Sequence, residues 1–345
     1  MDNVILKKDI DNLIVQKQYF EFLKGTTILV TGATGLLGSI LIKALLKFGN
    51  CQIYAACRSE EKFHKVFADY ESDSLRVIVS DIVNLDITDL SIDYIVHGAS
   101  ITDSKTFVEK PVETIDVAID GTRNLLKQCI NKNIKGFVYL SSLEVYGMFK
   151  DCPDVINVQE NDSGFIDTMS VRSSYSESKR MVETICKAYS SEYNIPVKVV
   201  RLCQTFGAGV EYNDNRVFAQ FARAIIEHKN IILKTKGETT RNYCYTTDAI
   251  AGILIVLQKG NNGEVYNIAN MSTTISIADL AKLYCHLYPE SGSSVKFEIV
   301  NNPEALGYNP ILKLQLDSSK LKTLGWNCSV SLEEMIRRLI GGLSN

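Results

Sequence analysis

The chain has 345 residues, 46% of them hydrophobic, and a formal net charge of -3 at pH 7. That length and apolar content suffice for one large α/β domain carrying a cap. The small net charge supplies no global field favouring nucleic acid or an anionic membrane surface. Residues 1–24 are broken up by Lys7, Lys8, Asp9 and Asp11 and lack the apolar centre of a signal peptide. No apolar run reaches the roughly 18 residues needed to span a bilayer. The nine cysteines are scattered, odd in number and without a C-x-x-C pair, which points to reduced, mostly buried thiols in a cytoplasmic protein. The four histidines are scattered too, so no metal centre is expected.

Residues 1–24 read as a short amphipathic lead-in, with Leu13, Ile14, Tyr19, Phe20 and Leu23 as its apolar residues. Strands are expected at Thr26–Thr31, Gln52–Cys57, Arg76–Ser80, Asp93–His97, Gly136–Ser141 and Val197–Leu202, each short and rich in Val, Ile or Tyr. Between them lie stretches with helical periodicity, such as Leu36–Phe48, Pro111–Asn131 and a helix from Tyr175 toward Tyr193. Apolar strands alternating with helices imply an α/β fold with a parallel sheet covered on both faces. Past Phe206-Gly207 the rhythm changes. Helices at Val217–His228, Asp248–Gln258 and Ser276–Leu287 mix with short strands at Ile231–Lys234, Glu264–Ile268 and Val295–Val300. The division expected is a lead-in over 1–24, a nucleotide-binding domain over 25–204 and a smaller, discontinuous substrate domain over most of 205–345. Some pieces, Glu264–Ile268 among them, would return to the large sheet.

The segment Ile28-Leu-Val-Thr-Gly-Ala-Thr-Gly-Leu-Leu-Gly38 reads as strand, glycine turn and helix. Its glycines, Gly32, Gly35 and Gly38, let the backbone turn tightly and approach a pyrophosphate, while the helix supplies N–H groups and its positive dipole end. A glycine turn without a ligand is the bland alternative. Cofactor choice is set at the end of the second strand, where an acid binds a ribose 2′-hydroxyl and an arginine suits a 2′-phosphate. Here the sequence is Ala55-Ala-Cys-Arg-Ser59, with no acid and with Arg58-Ser59 following. This favours NADP(H) over NAD(H); the competing reading leaves Arg58 solvated or stacked on adenine with either cofactor. Asp81-Ile82, after the third strand, would hold the adenine amino group unless Asp81 is a plain turn residue.

Tyr175-Ser-Glu-Ser-Lys179 places a phenol and an ammonium on one helix face. Tyrosine is a poor base at neutral pH, with an unperturbed pKa of about 10. A nearby Lys179 charge favours the phenolate, as would an oxidised nicotinamide. Ser142, at the end of an apolar strand, would bond the reacting oxygen and orient it. A dinucleotide site with a Ser/Tyr/Lys set is equipment for hydride transfer at a carbon bearing oxygen.

With these pieces in order, the chain resembles the extended short-chain dehydrogenase/reductases, the NAD-dependent epimerase/dehydratase family acting on nucleotide sugars. The stretches that carry the resemblance are Thr31-Gly-Ala-Thr-Gly-Leu-Leu-Gly38, His97-Gly-Ala-Ser100, Gly121-Thr-Arg-Asn-Leu-Leu126, Leu140-Ser-Ser-Leu-Glu-Val-Tyr-Gly147, Tyr175-x-x-x-Lys179, Arg201-Leu-Cys-Gln-Thr-Phe-Gly207, Arg241-Asn-Tyr-Cys-Tyr-Thr-Thr-Asp248 and Gly263-Glu-Val-Tyr-Asn267. The resemblance implies a Rossmann-type doubly wound parallel sheet with a smaller discontinuous C-terminal substrate domain. It implies cofactor contacts from Gly32, Thr34, Gly35, Leu36, Leu37, Arg58, Ser59, Asp81, Ile82, Ala99, Ser100, Ser141, Tyr175 and Lys179. The catalytic set would be Ser142, Tyr175, Lys179 and Glu144. A nucleotide-activated sugar would meet Ser142, Gln204, Arg216 and Arg241, the arginines suiting a diphosphate. Arg216 alone reads equally well as a solvated helix charge. The resemblance also implies a homodimer through the Pro111–Asn131 and Tyr175–Tyr193 helices.

Several positions depart from the family's subgroups. Leu143 stands where dTDP-glucose-type dehydratases usually place Asp before Glu144. The lead-in Val171-Arg-Ser-Ser-Tyr175 looks closer to nucleotide-sugar decarboxylases, yet the acid those enzymes keep after the second strand is missing. Ala118 and Gln204 stand where Asn is frequent. Three activities follow as expectations: a recycled cofactor serving epimerisation, dehydration or decarboxylation; net reduction of a sugar carbonyl by NADPH, favoured by Arg58; or a non-catalytic nucleotide-binding scaffold.

Overall fold

In the computed structural model, which describes residues 3–70, 72–149, 154–301 and 311–344, a seven-stranded parallel sheet forms the centre. The lead-in contributes α1 (Val4–Ile14). Then come β1 (Thr26–Thr31), α2 (Leu36–Phe48), β2 (Cys51–Cys57), α3 (Glu60–Val66), β3 (Leu75–Val79), β4 (Tyr94–His97), α4 (Ser104–Glu109), α5 (Pro111–Cys129), β5 (Gly136–Ser142), β6 (Ile156–Val158), α6 (Ser173–Tyr193) and β7 (Val197–Leu202). The rest carries β8 (Gln204–Phe206), α7 (Val217–Ile226), β9 (Ile231–Leu233), β10 (Thr240–Tyr245), α8 (Thr246–Lys259), β11 (Val265–Ile268), β12 (Asn270–Ser276), α9 (Ile277–Leu287), β13 (Val295–Phe297), β14 (Leu314–Leu316), α10 (Ser319–Lys322) and α11 (Leu332–Leu343).

The large sheet runs β3-β2-β1-β4-β5-β7-β11. Its strands read as unbroken apolar runs because both faces are covered. Along β1, Ile28 and Val30 pack with Ile42, Leu45, Ile253 and Leu257 of α2 and α8, while Leu29 packs with Val117, Leu125, Val182 and Cys186 of α5 and α6. The chain goes outward from β1 through β2 to β3, then returns to place β4 on the other side of β1. That reversal opens a crevice at the carboxyl ends of the strands, the place where such sheets take ligands. The stretch after Asn261 rejoins the sheet as β11, beside β7.

A second core gathers Phe218, Phe221 and Ile225 of α7, Leu280 and Tyr284 of α9 and Met335, Ile336 and Leu339 of α11 around Phe206, Tyr243 and Tyr245. The three-stranded sheet β12-β10-β8 and the strand pairs β13-β9 and β14-β6 complete this part of the molecule. β8, β10, β12 and α11 go beyond the elements expected from sequence.

Helix α1 ties the two cores together. Asn3 caps it, its Oδ1 accepting the Leu6 N–H at 2.8 Å, and the same side chain donates to the Ala208 carbonyl at 2.8 Å. Leu6, Ile10 and Leu13 are buried, and buried Asp9 takes a hydrogen bond from Tyr245 and an ion pair from Arg338 at 2.7 Å. No helix among the described residues is long and apolar enough to cross a membrane. The eight described cysteines are free and six of them are buried; Cys152 lies outside the described residues.

Candidate active site

β1 runs directly into the glycine turn. Gly32 sits at φ +69°, and a Cβ there would stand 2.8 Å from the Gly98 carbonyl carbon. A Cβ on Gly38 would collide with the Gly32 carbonyl oxygen. Only glycine fits either position without moving backbone. Gly35 is the N-cap of α2 and offers no side-chain cap, which leaves the first N–H groups of that helix available to an anion. His97, fully buried at the end of β4, bonds Thr31 Oγ1 at 2.7 Å and Thr122 Oγ1 at 2.9 Å. Burial pushes its pKa down to about 3, so a neutral imidazole braces the turn against α5.

The strand ends open on a cavity of about 520 Å³. Gly32, Thr34, Gly35, Leu36 and Leu37 line it from the turn, Arg58, Ser59, Asp81 and Ile82 from the ends of β2 and β3, and Ala99 and Ser100 from the end of β4. Ser141, Ser142, Glu144, Tyr175, Lys179, Gln204 and Arg216 line the remainder. Arg241 is the one candidate that does not line it. Arg241 lies on β10 opposite Ile275 of β12, and its Nε is buried without a hydrogen-bond partner. Ser59 also caps α3, accepting the Lys62 N–H at 3.1 Å, and Asp81 turns the chain by accepting the Val83 N–H at 3.0 Å.

At the catalytic end, Ser142 Oγ accepts the Glu144 N–H at 3.2 Å. The Glu144 carboxylate is held on both oxygens, by Arg172 Nη2 at 2.9 Å and Ser176 Oγ at 3.1 Å. Tyr175 and Lys179 are buried on α6, at 8% and 2% exposure. Lys179 Nζ donates to the Leu140 carbonyl at 2.8 Å and lies 5.7 Å from the Tyr175 ring centre. One turn further, Glu183 accepts Ser141 Oγ at 2.6 Å and Arg201 Nη2 at 2.7 Å, which pins α6 to β5 and β7. Arg216, just before α7, pairs with Asp214 at 2.6 Å.

Burial dominates the electrostatics here. It lowers the Lys179 pKa to about 7, against the opposing pull of Glu183. It raises Tyr175 above the ordinary tyrosine value; the Glu144 carboxylate adds to this, while Ser142, Arg172 and Arg216 oppose it. Desolvation is the largest influence on the phenol here, whereas the sequence pointed to the Lys179 charge.

Three participants were not anticipated. Arg172 holds Glu144, Ser176 binds the same carboxylate, and Phe107 of α4 stacks on the Tyr175 ring. Arg172 and Ser176 flank Tyr175 in sequence, so their proximity was within reach of the pattern. Phe107 stands 68 positions away on a six-residue helix and leaves no periodic signal.

A parallel sheet with its ligand crevice at the strand reversal, a glycine cradle and Tyr and Lys four apart at the rim define a dinucleotide-dependent enzyme of the short-chain dehydrogenase/reductase type. The model of the NAD dependent epimerase/dehydratase family matches residues 28–269, and the chain belongs to that family. Among its relatives, UDP-glucuronic acid decarboxylase 1 of Xenopus tropicalis is 28% identical over 323 residues, covering 91% of this chain and 71% of the relative. The dTDP-D-glucose 4,6-dehydratase of Dictyostelium discoideum is 25% identical over 366 residues, covering 95% and 81%. In fold, the chain matches the UDP-glucuronic acid 4-epimerase of Bacillus cereus in complex with NAD, with a TM-score of 0.76, 24% identity and coverage of 92% and 98%.

These relatives correct the cofactor preference. The expectation of NADP(H) over NAD(H) rested on Arg58, whereas the Bacillus cereus structure holds NAD. The guanidinium of Arg58 lies 3.8 Å from the Glu113 carboxylate, which would repel a 2′-phosphate placed there.

Proposed function

We propose that this chain binds NAD(H) and a nucleotide-activated sugar, and that it oxidises and re-reduces one sugar carbon within a single catalytic cycle. The observation that carries this reading is that Ser142, Tyr175 and Lys179 line the same cavity as the Gly32–Gly35 turn. The residues present fit NAD: a cradle that any Cβ would fill, an uncapped helix terminus, and the Glu113 carboxylate beside Arg58. Gly32, Thr34, Gly35, Leu36 and Leu37 would hold its pyrophosphate, with Ser59 and Arg58 at the ribose, Asp81 and Ile82 at the adenine, and Ala99, Ser100 and Ser141 along the nicotinamide half. When bound, the nicotinamide supplies a hydride acceptor and donor.

The chain's own residues move the proton. Tyr175 Oη takes the proton of the sugar hydroxyl and later returns it. Its neutral form is favoured by burial, so the phenol is a ready donor, and abstraction calls for added positive charge nearby. Lys179 supplies that charge when protonated and orients the ribose. Ser142 holds the reacting oxygen. Glu144, its two oxygens held by Arg172 and Ser176, is placed for a second proton transfer in elimination or decarboxylation. Gln204 and Arg216 would meet the sugar and its diphosphate. The division at residues 24 and 204, and a homodimer through exposed Val112 and Ile115 of α5 and Met181 of α6, belong to the same proposal.

Mass spectrometry of the small molecules released on denaturing fresh protein tests it. Near-stoichiometric NAD(H) supports a recycled cofactor. An empty protein that consumes reduced cofactor with each turnover would replace this reading with net reduction.

A further inference from the structure

We infer that Phe107 is a positioning residue for Tyr175: stacked face to face on the phenol, it fixes the plane of the ring that carries the proton. The inference rests on the reading of Tyr175 as that carrier. The two ring centres are 4.2 Å apart and their planes differ by 11°. Phe107 is 2% exposed and forms part of the cavity wall. Flat stacking of this kind resists rotation of either ring, since turning one forces it into the other.

The stack is anchored from both sides. The Arg172 guanidinium lies 4.7 Å from the Phe107 ring centre. The phenol occupies one face of Phe107, so the guanidinium takes the other. Arg172 is itself clamped by Glu144 at 2.9 Å. The Phe107 carbonyl accepts Ser174 Oγ at 3.0 Å, from the residue preceding Tyr175. Helix α4 has six residues, too few to hold its place through its own hydrogen bonds. Asp103 caps it by accepting the Thr106 N–H at 2.9 Å, and the ring stack and Ser174 dock it on α6.

Phe107 is an apolar neighbour of the phenol. The other groups that act on Tyr175 are Ser142 of β5, Glu144 after it, Arg172 before α6, Arg216 before α7, and Lys179 of α6, 5.7 Å from the ring. Tyr139 of β5 is also within electrostatic reach. The stacked ring of Phe107 covers one flat face of the phenol and keeps water from it. Opening that face lets water solvate a phenolate and favours ionisation.

The test uses NAD-loaded protein carrying ¹³C at the tyrosine Cζ, with the Tyr175 signal assigned from its loss in Tyr175→Phe. The pH dependence of that signal is compared among wild type, Phe107→Ala, Phe107→Leu and Phe107→Tyr. The Ala and Leu variants should ionise at lower pH, by about one unit, a tenfold change in proton affinity. Phe107→Tyr keeps the stack and should titrate as wild type. Leu keeps apolar volume but has no flat ring to cover the phenol, and it serves if the Ala variant fails to fold. Ala and Leu variants that titrate with the wild type would overturn the inference. Turnover of Tyr175→Phe tests the proton-carrier reading separately, so the failure of either is distinguishable from the failure of the other.

Discussion

Replacing Lys179 by methionine should stabilise the protein at acidic and neutral pH while removing activity. The ammonium is 2% exposed, and burial lowers its pKa from 10.5 to about 7. A folded-state pKa below the unfolded value means that, between pH 7 and 10.5, the unfolded chain holds a proton the folded protein has released. Stability then rises with pH across that window, and the full cost of the buried charge is felt below it. The gap of roughly 3.5 units corresponds to about 5 kcal/mol at ~1.36 kcal/mol per unit. Methionine removes the charge but also the bond to the Leu140 carbonyl, a charged hydrogen bond worth about 1.5–3 kcal/mol. A net gain of ~2–3 kcal/mol at pH 6 follows. Comparing pH values cancels the lost bond: from pH 6 to pH 9 the advantage of the variant should shrink by about 3 kcal/mol. Urea unfolding of both proteins at the two pH values measures it. If the stabilities of wild type and variant run parallel with pH, Lys179 does not carry a depressed pKa, and the account of the catalytic charge fails.

Gly38→Ala drives a methyl group into the Gly32 carbonyl and should abolish measurable NAD binding by calorimetry in a protein with a wild-type circular dichroism spectrum. Arg58→Ala should leave NAD affinity within a few-fold of wild type in the same titration, because NAD lacks the 2′-phosphate that a guanidinium at this position would grip. Arg201→Leu leaves the Glu183 carboxylate buried with only Ser141 as partner, and should cost about 3–5 kcal/mol in urea unfolding.

Much of the large sheet was legible because its residues see the same environment on both sides. Thr26–Thr31 and Val197–Leu202 carry apolar side chains toward two helical layers, so their ends are the ends of the apolar runs. Leu36–Phe48 was bounded as clearly, by Gly35 before it and by Gly49 at φ +75° after it. The cap was harder. In β10, Thr-Arg-Asn-Tyr-Cys-Tyr follows no alternation, because Asn242 is buried and bonded to the Leu316 backbone of β14 and not turned to solvent. Helix α11 does carry a helical stripe, Leu332, Met335, Ile336, Leu339 and Ile340, behind the Ser331 cap; the pattern was there to be found.

The site divides in the same way. The glycine turn and the Tyr175/Lys179 pair are local patterns, and both came from short spacings. Arg58 misled because a basic residue at the end of β2 says nothing of its partner, and Glu113 comes from α5, 55 positions on. The direction of the Tyr175 shift depends on how deeply the phenol is buried, which is a property of tertiary packing and not of the Y-x-x-x-K spacing.

The most direct test of hydride chemistry driven by Tyr175 is the turnover of Tyr175→Phe on a panel of UDP- and dTDP-linked sugars, followed by mass spectrometry of the products. The account predicts product formation by wild type and a rate about 10²–10⁴-fold lower in the variant with NAD binding retained, the range expected for losing a proton-transfer group. A folded Tyr175→Phe protein that turns over a sugar at the wild-type rate would contradict it.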